Sequence, residues 1–334
     1  MTGRARVRAI IAGEPADRCA FWVGHPFQET WPILHRIFGT TTEQEFRRRI
    51  GDDFVLVPLQ WCPDFYEGGV FQIAKARDCE PGPLAACASV ADVDRLYDWP
   101  EASKCNFDSG LALLRQAGDV YRASGVWAPI YHNFLDLFGL EEGMVMMHTA
   151  PDIVEAAAER VFAFYYEANE RFLELAGDEV DACFFGNDLG TQRGLMCSPE
   201  MLDRFFFPYL KRLVAQAKRH GKQAILHSCG AVHEIIPRLI DIGVDCLHPL
   251  QALAKGMDAQ ALARDFKGRI AFMGGVDTQE LLIHGTPDDV RREVRRLKET
   301  FGPRYIVSPS HEALLPDVPP ENVRAMAEEA VGGH

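Results

Sequence analysis

This 334-residue chain predicts an α/β protein built as a (β/α)8 barrel, on three observations. Eight short apolar runs recur along it, helical patterns lie between them, and polar side chains able to bind or move a proton follow every run. Apolar runs without alternation suit parallel strands buried on both faces, and strand–helix alternation closes such strands into a barrel.

In chain order the runs are Ala20–Gly24, Phe54–Leu59, Val126–Ile130, Asp181–Phe185, Gln223–Leu226, Val244–Leu247, Ile270–Met273 and Tyr305–Val307. Helices between them carry start signals. Ser198-Pro199-Glu200 opens Met201–His220, and Thr286-Pro287-Asp288-Asp289 opens Val290–Thr300, each with a capping hydroxyl followed by a proline of fixed φ. Pro151–Ala176 reads as one long helix, with Ile153, Ala156, Val161, Phe164, Tyr165, Phe172 and Leu175 roughly on one stripe, so its aromatics are read as core. Residues 61–125 fit no tidy strand–helix unit: Gly68–Ala74 reads as a turn and strand, and Glu80-Pro81-Gly82-Pro83 as another turn. This stretch is expected to be an insertion over the barrel mouth, within a single domain spanning residues 1–334.

Composition narrows the function classes. With 47% hydrophobic and 25% charged residues the chain suits a soluble globular protein, and 48 acidic against 35 basic residues disfavour a phosphate backbone, so no nucleic-acid partner is expected. No run of eighteen apolar residues occurs, and Met1–Glu14 carries arginines without the apolar stretch of a signal peptide, so the expectation is a cytoplasmic protein without a membrane span. Nine cysteines with no CxxC pair point to reduced thiols.

Chemistry in such barrels sits at the C-terminal ends of the strands. Just past the eight runs stand His25, Gln60, His132, Asn187 with Asp188, His227 with Cys229, His248 with Gln251, Asp277, and His311. Part of this follows from ending each run where apolar residues stop, yet five of the eleven histidines fall there. His227 and Cys229, two residues apart in an extended segment, share a face and can offer nitrogen and sulfur to one Zn2+. A third ligand must come from elsewhere: His311 is the first candidate, with Asp188 or Asp277 as carboxylate alternatives, and three ligands plus an open position make a catalytic zinc. The pair can equally be a hydrogen-bonded pocket histidine and a small buried cysteine in a glycine-flanked turn. Cys229 also stands where a helix opens, which favours a thiolate there. Asp188, His25, His132 and Asp277 are the catalytic candidates; the alternatives are turn chemistry for Asp188 and helix capping for Asp277. Gln192, Gln251, His248 and Glu29 are the candidates for holding substrate.

The chain resembles the uroporphyrinogen decarboxylase superfamily of α/β barrels, which also holds zinc methyltransferases that take methyl groups from corrinoid proteins. The resemblance is carried by Arg8–Arg18, Asp188-Leu189-Gly190-Thr191-Gln192, Ser198-Pro199-Glu200, His227-Ser228-Cys229-Gly230 with Ile236-Pro237, Gly243-Val244-Asp245, His248-Pro249-Leu250-Gln251, Gly274–Thr278 and Pro319-Pro320-Glu321-Asn322. The decarboxylase branch carries an arginine-rich Met-Arg-Gln-Ala-Gly-Arg motif near its first strand; here Phe21–Thr30 holds no arginine, so true uroporphyrinogen decarboxylation is not expected. The methyltransferase branch uses a His-x-Cys pair and a later cysteine. His227 and Cys229 match the pair, while Ser308-Pro309-Ser310-His311 stands where the later cysteine would be, so His311 would have to replace it.

The resemblance therefore implies a zinc-dependent methyltransferase moving a methyl group between a corrinoid protein or small methylated compound and a thiol or similar acceptor. The corrinoid-binding Asp-x-His-x-x-Gly motif is missing, so a corrinoid would ride on a separate protein, and the superfamily allows a homodimer. The alternatives are a metal-independent decarboxylase or lyase acting on a small carboxylated substrate through Asp188 and the histidines, and a non-catalytic subunit that docks a corrinoid protein.

Overall fold

The structure, a computed structural model, describes residues 1–71 and 81–332; Gln72–Ala74 of the predicted strand and Glu80 of the predicted second turn lie outside them. Eight parallel strands form one sheet: Ala20–Phe21 (β1), Phe54–Pro58 (β2), Tyr121–Gly125 (β3), Ala182–Gly186 (β4), Gln223–His227 (β5), Cys246–His248 (β6), Ala271–Val276 (β7) and Tyr305–Pro309 (β8). From β2 to β8 each strand pairs with the next in chain order, and β1 pairs with β8. This is the (β/α)8 barrel. Its interior is filled by alternate residues of successive strands, among them Phe54 and Leu56, Tyr121 and Ala123, Ala182 and Phe184, and Ala271 and Met273, as the two-residue period requires. Val7, Ile10 and Ile11, on the helix Gly3–Ala12, join the same cluster.

Three expectations need correction. The third strand is Tyr121–Gly125, not Val126–Ile130. It escapes an apolar search because Arg122 and Ser124 lie on it, with Arg122 Nη1 donating to Glu179 and Ser124 Oγ to the carbonyl of Val57. The apolar residues that follow form the exit from the strand, and Ile130 already starts the helix Ile130–Phe138 behind Pro129. The helix expected over Met201–His220 is two, Pro199–Phe205 and Phe207–Arg219, because Pro208 can donate no backbone N–H to continue the first and so sits in the first turn of the second. The long helix Pro151–Ala176 forms as expected, but Leu175 is exposed.

Residues 61–125 thus end in a barrel strand. The described helices before it lie along the barrel: Asp108–Gln116 packs against β2, and Val90–Arg95 against the helix Pro151–Ala176. Trp61 is exposed, with its ring 5.2 Å from that of His25. Among the described residues no helix is long and apolar enough to cross a membrane, and no cysteine is in a disulfide.

Between β1 and β2 there is no strand ladder. Asp53 N–H donates to the carbonyl of Phe21 at 2.9 Å, and the Asp53 carboxylate accepts from Phe21 N–H at 3.2 Å. Arg6 and Arg18 pair with that carboxylate at 2.6 and 2.7 Å, while Arg47 pairs with the neighbouring Asp52 at 2.5 Å. Asp52 and Asp53 are buried, so the seam of the barrel is closed by ion pairs whose desolvation has already been spent. Replacing Asp53 by alanine removes the buried carboxylate that Arg6 and Arg18 share and leaves buried Arg6 only the part-exposed Asp17, which should lower stability by about 2–3 kcal/mol in urea unfolding, below the roughly 3–5 kcal/mol of a buried charge left wholly unpaired. A loss below about 1 kcal/mol, the range of a surface pair, would contradict this role.

Candidate metal and reaction site

The loops that leave β4 and β5 meet at the mouth of the barrel. Asn187 anchors the first: its backbone N–H donates to the carbonyl of His227, its side-chain oxygen accepts from Tyr131 N–H, and its side-chain nitrogen donates to the carbonyl of Ala128. Leu189 N–H then donates to Ser228 Oγ, and Ala231 N–H to the carbonyl of Thr191, so the two loops are stitched together. Gly230 sits at φ +86°, and a Cβ there would lie 2.4 Å from the Gly190 carbonyl oxygen. Only glycine allows this approach, which sets Asp188 beside Cys229.

Asp188 Oδ1 accepts from Cys229 N–H at 2.9 Å and lies 3.2 Å from His227 Nε2. The Cys229 sulfur is 3.4 Å from the same nitrogen. Ligand atoms of Asp188, His227 and Cys229 all fall within 4.8 Å of one another. With metal–nitrogen and metal–oxygen bonds of about 2.1 Å and a metal–sulfur bond of about 2.3 Å, tetrahedral ligands stand about 3.3–3.6 Å apart, so the observed separations fit one zinc-class cation. The other ring nitrogen of His227, Nδ1, is 3.1 Å from His248 Nδ1 and 3.7 Å from Glu312 Oε2.

The electrostatics centre on His227. Burial opposes its charge, but Glu312, Asp188 and Cys229 around it raise its pKa well above the ordinary imidazole value. For Asp188, burial is outweighed by the hydrogen bond and charge of His227 and by Cys229 N–H, which hold its carboxyl well below the usual range. Burial pushes the Cys229 thiol up against the pull of His227, and burial with three neighbouring imidazoles pushes His248 well down. The pocket is arranged around one positive charge at His227, which a proton or a metal can supply.

The remaining sequence candidates divide. His132 Nε2 accepts from Asp188 N–H at 3.0 Å, placing it behind the carboxylate. His311 does not belong to either group of converging donors; its ring centroid is 6.3 Å from that of His227, and its Nδ1 accepts from Ala313 N–H. Asp277 caps the turn after β7, accepting from the N–H groups of Gln279, Glu280 and Leu281. His25 pairs through its short strand with Ala313–Leu314, and its Nε2 is buried without a hydrogen-bond partner among the described residues. His248 is wholly buried on β6 beside His227, and Glu29 is exposed. Gln192, Gln251, Asp277 and His311 line one cavity of about 430 Å3, together with Thr278, Ser310 and several aliphatic side chains. Gln251 also holds the site, its Oε1 accepting from Gly230 N–H at 2.9 Å. Glu312 was not singled out from sequence; the only local signal was its place directly after His311, beyond the last strand.

A family model described as uroporphyrinogen decarboxylase (URO-D) matches residues 115–332. A uroporphyrinogen decarboxylase of Salinibacter ruber is 30% identical over 139 residues, 41% of this chain and 37% of that protein. Another, of Chlorobium phaeobacteroides, is 25% identical over 130 residues, 37% of this chain and 35% of that protein. The matched stretch therefore spans little more than a third of these relatives. A solved methyltransferase from Methanosarcina mazei superposes with a TM-score of 0.67 at 18% identity, covering 99% of this chain and 98% of that one, which shows a shared fold.

One pH effect follows from His25. Burial, with the charge of Arg47, lowers its pKa from 6.5 to about 3. Between those values the unfolded chain binds a proton that the folded chain does not, so stability falls as pH drops through that window, by up to about 1.4 kcal/mol per pH unit for this one group. Urea unfolding of His25→Phe from pH 7 down to pH 4 should show a shallower decline than the parent chain; parallel declines would contradict the assignment.

Proposed function

Since residues 115–332 match its model, the chain belongs to the uroporphyrinogen decarboxylase family, and we propose that it is a metal-dependent methyltransferase. The observation that carries this reading is the convergence of Asp188, His227 and Cys229 at the mouth of the barrel. Carboxylate, imidazole and thiol together form a donor set suited to zinc, and Asp188 takes the third place for which His311 was first considered. A zinc ion held there would act as a Lewis acid and make a thiol acidic at neutral pH.

The chain's own residues do the rest. Cys229 N–H fixes the orientation of the Asp188 carboxylate, His132 holds its backbone, and Gln251 fixes Gly230. The adjoining cavity of about 430 Å3 offers Gln192, Gln251, Thr278 and Ser310 for polar contacts and Leu253, Ile283 and Leu315 for an apolar body. In the proposed reaction a thiol or similar acceptor attacks the methyl carbon in line, and the methyl donor, a separate corrinoid protein or a small methylated compound, leaves from the opposite side.

The two decarboxylase relatives favour a second reading, proton transfer on a small carboxylated substrate by Asp188 and His132 without metal. Against it, the cavity lining holds Asp277 and Asp317 but no lysine or arginine to grip a carboxylate in a bidentate pair. Elemental analysis of protein purified without an affinity tag separates the two. About one zinc per chain is expected, lost in Cys229→Ala and Asp188→Ala and retained in His311→Ala. A wild-type chain that takes up no zinc when supplied with it would put the metal-free reading first.

A further inference from the structure

The Nδ1 side of His227 plays no part in the reading above. One ring nitrogen each of His227 and His248 and one Glu312 carboxylate oxygen lie within 4.8 Å of one another. The two nitrogens, Nδ1 in each ring, are 3.1 Å apart and share a hydrogen bond whose proton a bound cation would displace. Glu312 Oε2 lies 3.7 Å from His227 Nδ1 and 3.7 Å from His311 Nδ1, too far in both cases for a hydrogen bond. That oxygen is buried and finds no hydrogen-bond partner among the described residues. A buried carboxylate oxygen without a donor is costly, and a shared cation removes the cost.

We propose that His227 Nδ1, His248 Nδ1 and Glu312 Oε2 form a second divalent-cation site, on the opposite edge of the His227 ring from Cys229. Ligand atoms bound to one metal at about 2.1 Å stand about 3–4 Å apart, as His227 Nδ1 does from His248 Nδ1 at 3.1 Å and from Glu312 Oε2 at 3.7 Å. Two imidazoles and a carboxylate without a thiolate suit Mn2+, Fe2+ or Co2+, whereas the sulfur of Cys229 draws zinc to the other edge. A neutral imidazole has one lone pair. His227 therefore serves one edge at a time unless it gives up its remaining proton, and the kind of cation supplied decides which edge is filled. The proposal does not rest on methyl transfer.

The test uses Mn2+ as the probe, read by electron paramagnetic resonance, with circular dichroism to establish that each variant is folded. Cys229→Ser removes the sulfur and leaves the second set whole; Glu312→Gln and His248→Ala each remove one of its ligands. The expected result is about one Mn2+ per chain in the wild type and in Cys229→Ser, and loss of binding in Glu312→Gln and His248→Ala. With Co2+, Cys229→Ser should show bands of a bound ion but no sulfur-to-cobalt charge transfer. Failure of folded Cys229→Ser to bind either ion would overturn the proposal and leave His248 and Glu312 as groups that only orient His227. Undiminished Mn2+ binding by folded Glu312→Gln would overturn it as well. Two imidazoles and a carboxylate bind zinc as well, so zinc retained by Cys229→Ala but lost when Glu312→Gln is added would sit on the second set, whereas the Mn2+ readings concern that set alone; the two readings therefore fail separately.

Discussion

The parallel register of β4, β5 and β6 sets Gly186, His227 and His248 level with one another, and the site follows from that alignment. Neighbouring parallel strands stand roughly 4.8 Å apart, which brings the two imidazoles of β5 and β6 edge to edge. On the other side Gly186 leaves room for the Trp127 indole, whose ring centroid is 5.0 Å from that of His227. The loops leaving β4 and β5 start at one height, and they close on each other where Gly190 and Gly230 allow backbone to touch backbone. Asp188 and Cys229 become neighbours as a result, although 41 residues separate them.

Charge explains why such a site persists inside a barrel. His227 is nearly inaccessible, yet Asp188, Cys229 and Glu312 surround it with groups that favour a cation. Each of the two donor sets contains this one imidazole, one through Nε2 and the other through Nδ1. The same chain spends buried ion pairs at its β1–β2 seam, where Asp53 is held by two arginines. There the cations are built in. At the mouth Asp188, Cys229 and Glu312 face His227 instead, and a proton or a metal supplies the charge.

Much of this was legible in the sequence. Barrel strands announce themselves because both of their faces are buried, and the period of two is enough to put His227 and Cys229 on one side. Tyr121–Gly125 was not legible as a strand, since Arg122 finds its partner in Glu179 and Ser124 on β2, contacts that no local pattern encodes. The approach of Glu312 to His227 was equally hidden. Past β8 the chain is steered by long-range pairing: Ser310 N–H donates to the carbonyl of Val276, and His25 N–H to that of Glu312. Those bonds decide which side chain faces His227. Asp188 was visible as a candidate carboxylate, but its contact with Cys229 depends on two glycines far apart in the chain.

The central claim is that one sulfur, one nitrogen and one carboxylate oxygen of this chain share a zinc ion, and the X-ray absorption spectrum of the zinc-loaded protein tests it most directly. The account predicts a ligand shell with a single sulfur at about 2.3 Å and nitrogen or oxygen neighbours at about 2.0–2.2 Å. A shell without sulfur would contradict the assignment of Cys229, and a shell with two sulfurs would mean that the ligands come from residues other than Asp188, His227 and Cys229.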